Sequence, residues 1–250
     1  MTTRGGDDDG ASRLERRAAD IERSRDFTEN PYFRALRERT WNRDDFAETQ
    51  IQFFFAVEFF SRPMAALAAK IPTPELRMEI LRNVWEEHGT GDAKATHKAT
   101  HLEFLRRAFG LAAADVERRD LWPELRIFNT TLAGACVLDD YRVGAGVLGM
   151  IERMFASISS AIGRGVVDNG WLTKDRMIHF DLHEVVDVRH SRDFFAVLET
   201  TYDDPSSTYA VDQGLEMGAA VFDGLFRGLH ASRTRRTSMP EGAAVLGRLV

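Results

Sequence analysis

The chain has 250 residues, a formal net charge of −6, and 44% hydrophobic and 29% charged residues. Such a composition belongs to a globular protein rather than a disordered one, and acidic and basic residues are mixed along the chain, which argues against nucleic-acid binding. A single cysteine, Cys136, excludes an internal disulfide and a Cys-rich zinc ribbon, and points to a reducing compartment, read as the cytoplasm.

In chain order, residues 1–10 (MTTRGGDDDG) have no apolar core and read as a disordered N-terminus rather than an export signal. Apolar residues recurring at three and four predict helices over 12–24, 31–39, 44–69, 74–88, 92–109, 123–133, 138–167, 174–199 and 207–231. Thr73, Asp92 and Thr173 are the expected N-caps, with Pro74 at a first helical position, where its missing N–H costs nothing. The prolines Pro31, Pro63, Pro72, Pro74, Pro123 and Pro205 are expected at boundaries, and Asn169-Gly170 reads as a helix stop rather than a hairpin turn. Apolar stretches are interrupted before the roughly 20 residues of a membrane span, so no membrane association is expected. After Ser232 the chain, with Arg233, Arg235 and Arg236, reads as a solvated tail over 233–250. The fold class is therefore all-α, a single bundle of long helices over 11–232 with no internal repeat.

The sharpest chemical signal is HFDLHEVVDVRH, which sets His183, Asp187 and His190 at i, i+4 and i+7. At about 100° per residue these fall within an arc of roughly 60° on one helix face. Two imidazoles and a carboxylate suit a non-haem iron with open positions, although an ordinary polar face has the same spacing. Glu152 lies in an otherwise apolar helix, where burying its charge requires a compensating cation unless it escapes to solvent beside Arg153.

In NVWEEHGTGDAKATH, Glu86 and Glu87 precede a glycine turn and His97 follows it, but the turn breaks the periodicity and hides which glutamate faces His97. Glu58, a lone acid in QFFFAVEFF, either turns to solvent or has its charge balanced in the core. His88 and His101 read as surface groups or as outer supports of a site. Phe53, Phe54, Phe55, Phe59, Phe60 and Phe155 can line a pocket or simply fill the core. The Glu-x-x-His pairs of ferritin-like di-iron bundles are absent, since none of the seven histidines has Glu three residues before it.

Together these residues resemble the haem-oxygenase-like di-iron oxidases, a branch of the wider helical fold that includes thiaminase-type and pyrroloquinoline-quinone-biosynthesis proteins. The resemblance covers residues 30–230 and rests on the Glu before a glycine turn followed by His97, on Glu152, and on the closing His-x-x-x-Asp-x-x-His at 183–190. It implies a haem-oxygenase-like bundle with metal ligands at Glu87, His97, Glu152, His183, Asp187 and His190. Glu58 matches a further carboxylate that some members draw from an earlier helix. The implied cofactor is a pair of Fe(II)/Fe(III) ions with O2 as co-substrate. The implied reaction is oxidation of a small-molecule substrate, an amino acid, fatty acid or related metabolite, by N-oxygenation, desaturation or oxidative C–C cleavage. A homodimer and an external reductant fit the same picture.

Two rivals predict different behaviour. A metal-free, thiaminase-like enzyme of the same fold would act through Cys136, yet Asp139 and Asp140 nearby would raise the thiol pKa. A non-enzymatic helical interaction protein would take up no metal at all.

Overall fold

In the computed structural model, which describes residues 11–238 apart from the side chains of 181–186, the chain forms ten α-helices among the described residues. They are α1 Arg13–Ser24, α2 Pro31–Arg37, α3 Arg43–Lys70, α4 Pro74–Glu87, α5 His97–Phe109, α6 Ala113–Glu117, α7 Pro123–Ala133, α8 Tyr141–Asp168, α9 His179–Glu199 and α10 Pro205–Ala231. No β-strand occurs among the described residues, and an isolated bridge joins Arg119 to Ser238. The all-α expectation is met; the readings of 1–10 and of 239–250 lie outside the described residues.

Local chemistry sets most helix starts. Ser12 and Glu15 form a reciprocal capping box on α1, and Asn42 accepts from the Asp44 and Asp45 amides at the start of α3. Proline opens α2, α4, α7 and α10.

Several expected boundaries move. Thr73 stands at the N-cap of α4 but makes no side-chain cap bond. Asp92 instead closes a turn by accepting from the Lys94 amide, and α5 starts five residues later, capped by Thr96. The reason is local: Gly89, Thr90 and Gly91 all have positive φ, which no right-handed helix accommodates. Thr173 precedes a single 3₁₀ turn, and α9 begins only at His179. Pro63 lies inside α3 rather than at its end. Its missing N–H leaves the Phe59 carbonyl without a helical donor, while burial of Phe59, Met64 and Leu67 holds the helix together around it.

Although charged residues such as Glu58 and Arg62 in α3 and Glu152 and Arg153 in α8 interrupt them, both helices are by length and composition apolar enough to cross a membrane. Both helices are apolar for another reason: 67% and 72% of their apolar windows are buried inside the bundle. Nor is the basic segment after Ser232 simply solvated. Arg235 pairs with Glu124 and covers the Trp122 ring, and Arg236 pairs with Asp45, so residues up to 238 strap onto the body.

α8 is the central helix and packs chiefly against α9 and α10. Its seam with α10 is made of glycine. A Cβ on Gly214 would lie 2.4 Å from the Val143 carbonyl oxygen, and one on Gly218 would lie 2.6 Å from that of Val147. On the other side, Gly149 admits Phe194 and Phe195 of α9, to which its Cβ would approach within 2.9 and 3.0 Å. With the two helices antiparallel, Glu152, one turn beyond Gly149, faces His190, one turn before Phe194.

Candidate metal centre

Four helices deliver the site. The buried stripe of α4 is Ile80, Asn83 and Glu87, at the i, i+3, i+7 spacing of one helix face, and Glu87 is its last residue. The positive-φ turn that follows reverses the chain and presents His97, the first residue of α5. His97 Nδ1 lies 2.7 Å from Glu87 Oε2. From α8 comes Glu152, and from α9 come Asp187 and His190; all three are buried to within 3% of full burial. Asp187 hydrogen-bonds with Glu152 and lies within electrostatic reach of Glu87, His97 and His190. One ligand-type atom from each of Glu87, Glu152 and His190 falls within 4.8 Å of the others.

The electrostatics are those of acids forced together away from water. Burial, and then the neighbouring Asp187, push Glu152 up to about 7. Asp187 is raised well above the carboxylate range, by burial first and with Glu87 adding to it. Burial pulls His190 down, but the negative charge of Glu152 facing it and its bond to Glu86 outweigh that and carry the ring up to about 10. His97 is also raised, because Glu87, Asp187 and Glu152 together overcome its burial. Without a cation the cluster must therefore retain protons.

Two atoms test whether a metal fits. His190 Nδ1 and Glu152 Oε1 are buried, make no hydrogen bond and face each other across 3.6 Å. Leaving such atoms unsatisfied costs about 1–3 kcal/mol each. A cation between the helices satisfies both, and the donor set of imidazole and carboxylate is one that suits iron.

The adjacent glutamates divide their contacts. Glu87 turns to His97, whereas Glu86 Oε2 accepts from His190 Nε2 at 2.8 Å and pairs with Arg189. Glu58 is not brought to the cluster: its Oε1 lies 2.5 Å from Lys98 Nζ, which also pairs with Glu117. His183 sits in α9 one turn before Asp187, and its side chain lies outside the described residues.

Two polar residues beside the site, His179 and Asn83, escaped the sequence reading, and a third, His101, was read as a surface group or an outer support. His101 is fully buried, and its Nε2 donates to the Gln50 carbonyl at 3.0 Å. His179 is equally buried, 3.0 Å from Thr100 Oγ1, with its ring 4.7 Å from that of His101 and 6.4 Å from that of His97. Asn83 is buried with neither amide atom hydrogen-bonded. The available signal was spacing: Asn83 to Glu87, His97 to His101 and His179 to His183 are each i, i+4. His88, in contrast, is exposed. The Cys136 thiol is buried and pushed up to about 12 by that burial rather than by Asp139 and Asp140, with Lys70 offsetting part of the shift. It is no ready nucleophile.

Against the cluster lies a cavity of about 420 Å³, its open mouth included, bounded by Glu87, His97 and Glu152 and otherwise by apolar side chains.

The chain is similar in sequence and in fold to known proteins. A protein described as 4-aminobenzoate synthase from Nitrosomonas europaea is 25% identical over 198 residues, covering 74% of this chain and 78% of its own. A domain with a haem-oxygenase-like fold from Shewanella denitrificans superposes with a TM-score of 0.73 at 14% identity, covering 88% of this chain and 92% of that one. A CADD-like protein from Nostoc punctiforme gives a TM-score of 0.74 at 15% identity over 89% and 97% of the two chains. The fold is thus haem-oxygenase-like. The profile of a family described as iron-containing redox enzymes matches residues 47–223, a span that includes every buried acid and imidazole of the cluster. The chain belongs to that family and is an iron-containing oxidoreductase.

Proposed function

We propose that this protein is a non-haem di-iron oxidase or oxygenase that uses O2 to oxidise a small organic metabolite held in the apolar cavity. Its metal ligands in this reading are Glu87, His97, Glu152, His183, Asp187 and His190. The observation that carries it is the pair of facing atoms His190 Nδ1 and Glu152 Oε1, which make no hydrogen bond and are set among acids gathered away from water. Iron bound there supplies the electron transfers that let O2 react with an organic substrate.

The rest is work for the chain's own side chains. Glu86 accepts a hydrogen bond from the Nε2–H of His190, which fixes the ring and turns Nδ1 inward. Phenylalanines around the cavity keep water from the reacting end. Glu58 is assigned to the ion pair with Lys98 and away from the metals. Names of curated relatives favour a biosynthetic role. N-oxygenation, desaturation and oxidative C–C cleavage are the outcomes this chemistry allows, with an external reductant as partner and the cytoplasm as the working compartment.

Anaerobic titration with Fe(II) tests the reading. It expects about two ions bound per chain, fewer after His190→Ala, and substrate-dependent O2 consumption. A protein that binds no iron under these conditions sinks it.

A further inference from the structure

Helices α1, α8 and α9 enclose a second hollow of about 670 Å³, its open mouth included, a size in the range of small-molecule sites. Arg153 and Ser191 in its wall directly follow Glu152 and His190 in sequence, so the hollow adjoins the cluster. It shares no lining residue with the apolar cavity.

Its charges are sorted by helix. Both carboxylates, Glu15 and Glu22, stand on α1, and both guanidiniums stand on the other walls, Arg153 on α8 and Arg192 on α9. One pair is already made, since Arg153 Nε donates to Glu22 Oε2 at 2.7 Å. The other two charges stay unmatched. Among the described residues Arg192 has no carboxylate partner, and Glu15 accepts from the Ser12 amide at 3.0 Å through Oε2 but meets no cation. Next to Arg192, Ser191 is only 4% exposed, yet its hydroxyl makes no hydrogen bond among the described residues. Apart from Ser157, the remaining lining is apolar: Ala156, Val188, which is 43% exposed, and Phe195, whose ring rests on Gly149.

A ligand with a single charge would match one of these groups and desolvate the other without compensation. A molecule that carries both an ammonium and a carboxylate matches the two at once, and the carboxylate gains the directional contact that a guanidinium offers. We propose that this hollow binds a free amino acid with an apolar side chain. Glu15 receives the ammonium, Arg192 and the Ser191 hydroxyl take the carboxylate, and the side chain lies on Ala156, Val188 and Phe195. None of these residues belongs to the ligand set of the di-iron reading.

Calorimetric titration of the full-length protein with L-leucine, first without iron and then loaded with Fe(II) under anaerobic conditions, tests the site. Three probes each lack one element: 4-methylpentanoate the ammonium, 3-methylbutylamine the carboxylate and glycine the side chain. Each should bind at least tenfold more weakly than leucine. Arg192→Ala should weaken leucine at least tenfold and leave 3-methylbutylamine unchanged. Glu15→Gln, whose amide oxygen can still accept from the Ser12 amide, should weaken leucine to a similar degree and leave 4-methylpentanoate unchanged. Ser157→Trp, which fills the hollow from an exposed position, should abolish binding, whereas Ala56→Phe, which narrows the apolar cavity, should not alter it. Unchanged melting temperatures identify the variants as folded. No binding of leucine, or equal binding of leucine and 4-methylpentanoate, would overturn the proposal. Binding only after iron is loaded, or its loss in Ala56→Phe but not in Arg192→Ala, would also overturn it by placing the amino acid against the metals. Failure of iron uptake would defeat the di-iron reading alone, because the titration without iron decides this site by itself.

Discussion

His190 Nε2 donates to Glu86 Oε2 at 2.8 Å, and this bond turns the opposite nitrogen of the ring toward Glu152 at 3.6 Å. One imidazole is thereby held between two carboxylates with different tasks, one orienting the ring and one, in the proposed di-iron reading, sharing the metal. Removing the orienting partner loosens a ligand without deleting it, and outer carboxylates of this kind are worth about 10–100-fold in metal affinity. Glu86→Ala should weaken Fe(II) binding by that factor in an anaerobic titration, while Glu86→Gln, whose amide oxygen still accepts the Nε2 proton, should recover most of it. Glu87→Gln should cost more than Glu86→Gln, and the reverse order would reassign the two glutamates.

Asp187 is fully buried and raised well above the carboxylate range, so its charge is tolerated only beside a cation. Asp187→Asn keeps the shape and removes the charge. The metal-free variant should melt higher than the parent at about pH 8, by roughly 2–4 °C for each kcal/mol relieved, and it should bind iron poorly. Differential scanning calorimetry decides the sign; a lower melting temperature would mean that the acid stabilises the metal-free fold.

Glu152, pushed up to about 7, and His190, pushed up to about 10, both hold protons more tightly in the folded than in the unfolded chain. Each adds stability at low pH. Glu152 loses its contribution as pH rises from about 4.5 to about 7, and His190 from about 6.5 to about 10. The metal-free protein should therefore lose stability between about pH 5 and about pH 9, while Fe(II) affinity climbs over the same range as the displaced protons become easier to release. Melting curves and metal titrations across this range should slope in opposite directions; parallel slopes would contradict the protonated cluster.

Glu58 pairs with Lys98, whose side chain is 40% exposed. A pair so open to solvent contributes at most about 1 kcal/mol. Glu58→Gln should leave the iron stoichiometry unchanged and lower the melting temperature only slightly. Loss of one iron in a metal analysis would return Glu58 to the ligand set.

Gly214 meets the Val143 carbonyl so closely that a methyl group cannot enter without parting α8 from α10. Gly214→Ala should destabilise the protein by about 1–3 kcal/mol, whereas Gly224→Ala on the same helix, with nothing within 4 Å of its Cβ, should be neutral or slightly stabilising. Denaturant titration of the two variants side by side is the comparison required.

The long helices were legible because burial imposes a three-and-four period on the sequence of α10, while α3 and α8 carry long, largely apolar runs buried over 46–56 and 143–152. The spacing of Asp187 and His190 put both on one face for the same reason, and the structure brings both to the cluster. What escaped was set by contacts between helices. Sequence along α3 carries no information about Lys98, one helix away, so Glu58 could be read either as turning to solvent or as an acid balanced in the core. Three consecutive positive-φ residues at 89–91 broke the angular arithmetic that would have separated Glu86 from Glu87. His179 was passed over and His101 left between surface and support, because only the packing of α5 on α9 brings their rings together.

The glycines of α8 reach beyond stability. Main chain meets main chain on the α10 side, and on the α9 side Gly149 seats Phe194 and Phe195 directly against its backbone, so the approach of Glu152 to His190, one turn away, is gauged by how deeply two phenyl rings sit on a residue with no side chain. A single methyl group added at residue 149 would lift those rings and respace the carboxylate and the imidazole, acting as a shim does between machined parts, whereas one at residue 146 or 218 would act on the seam with α10.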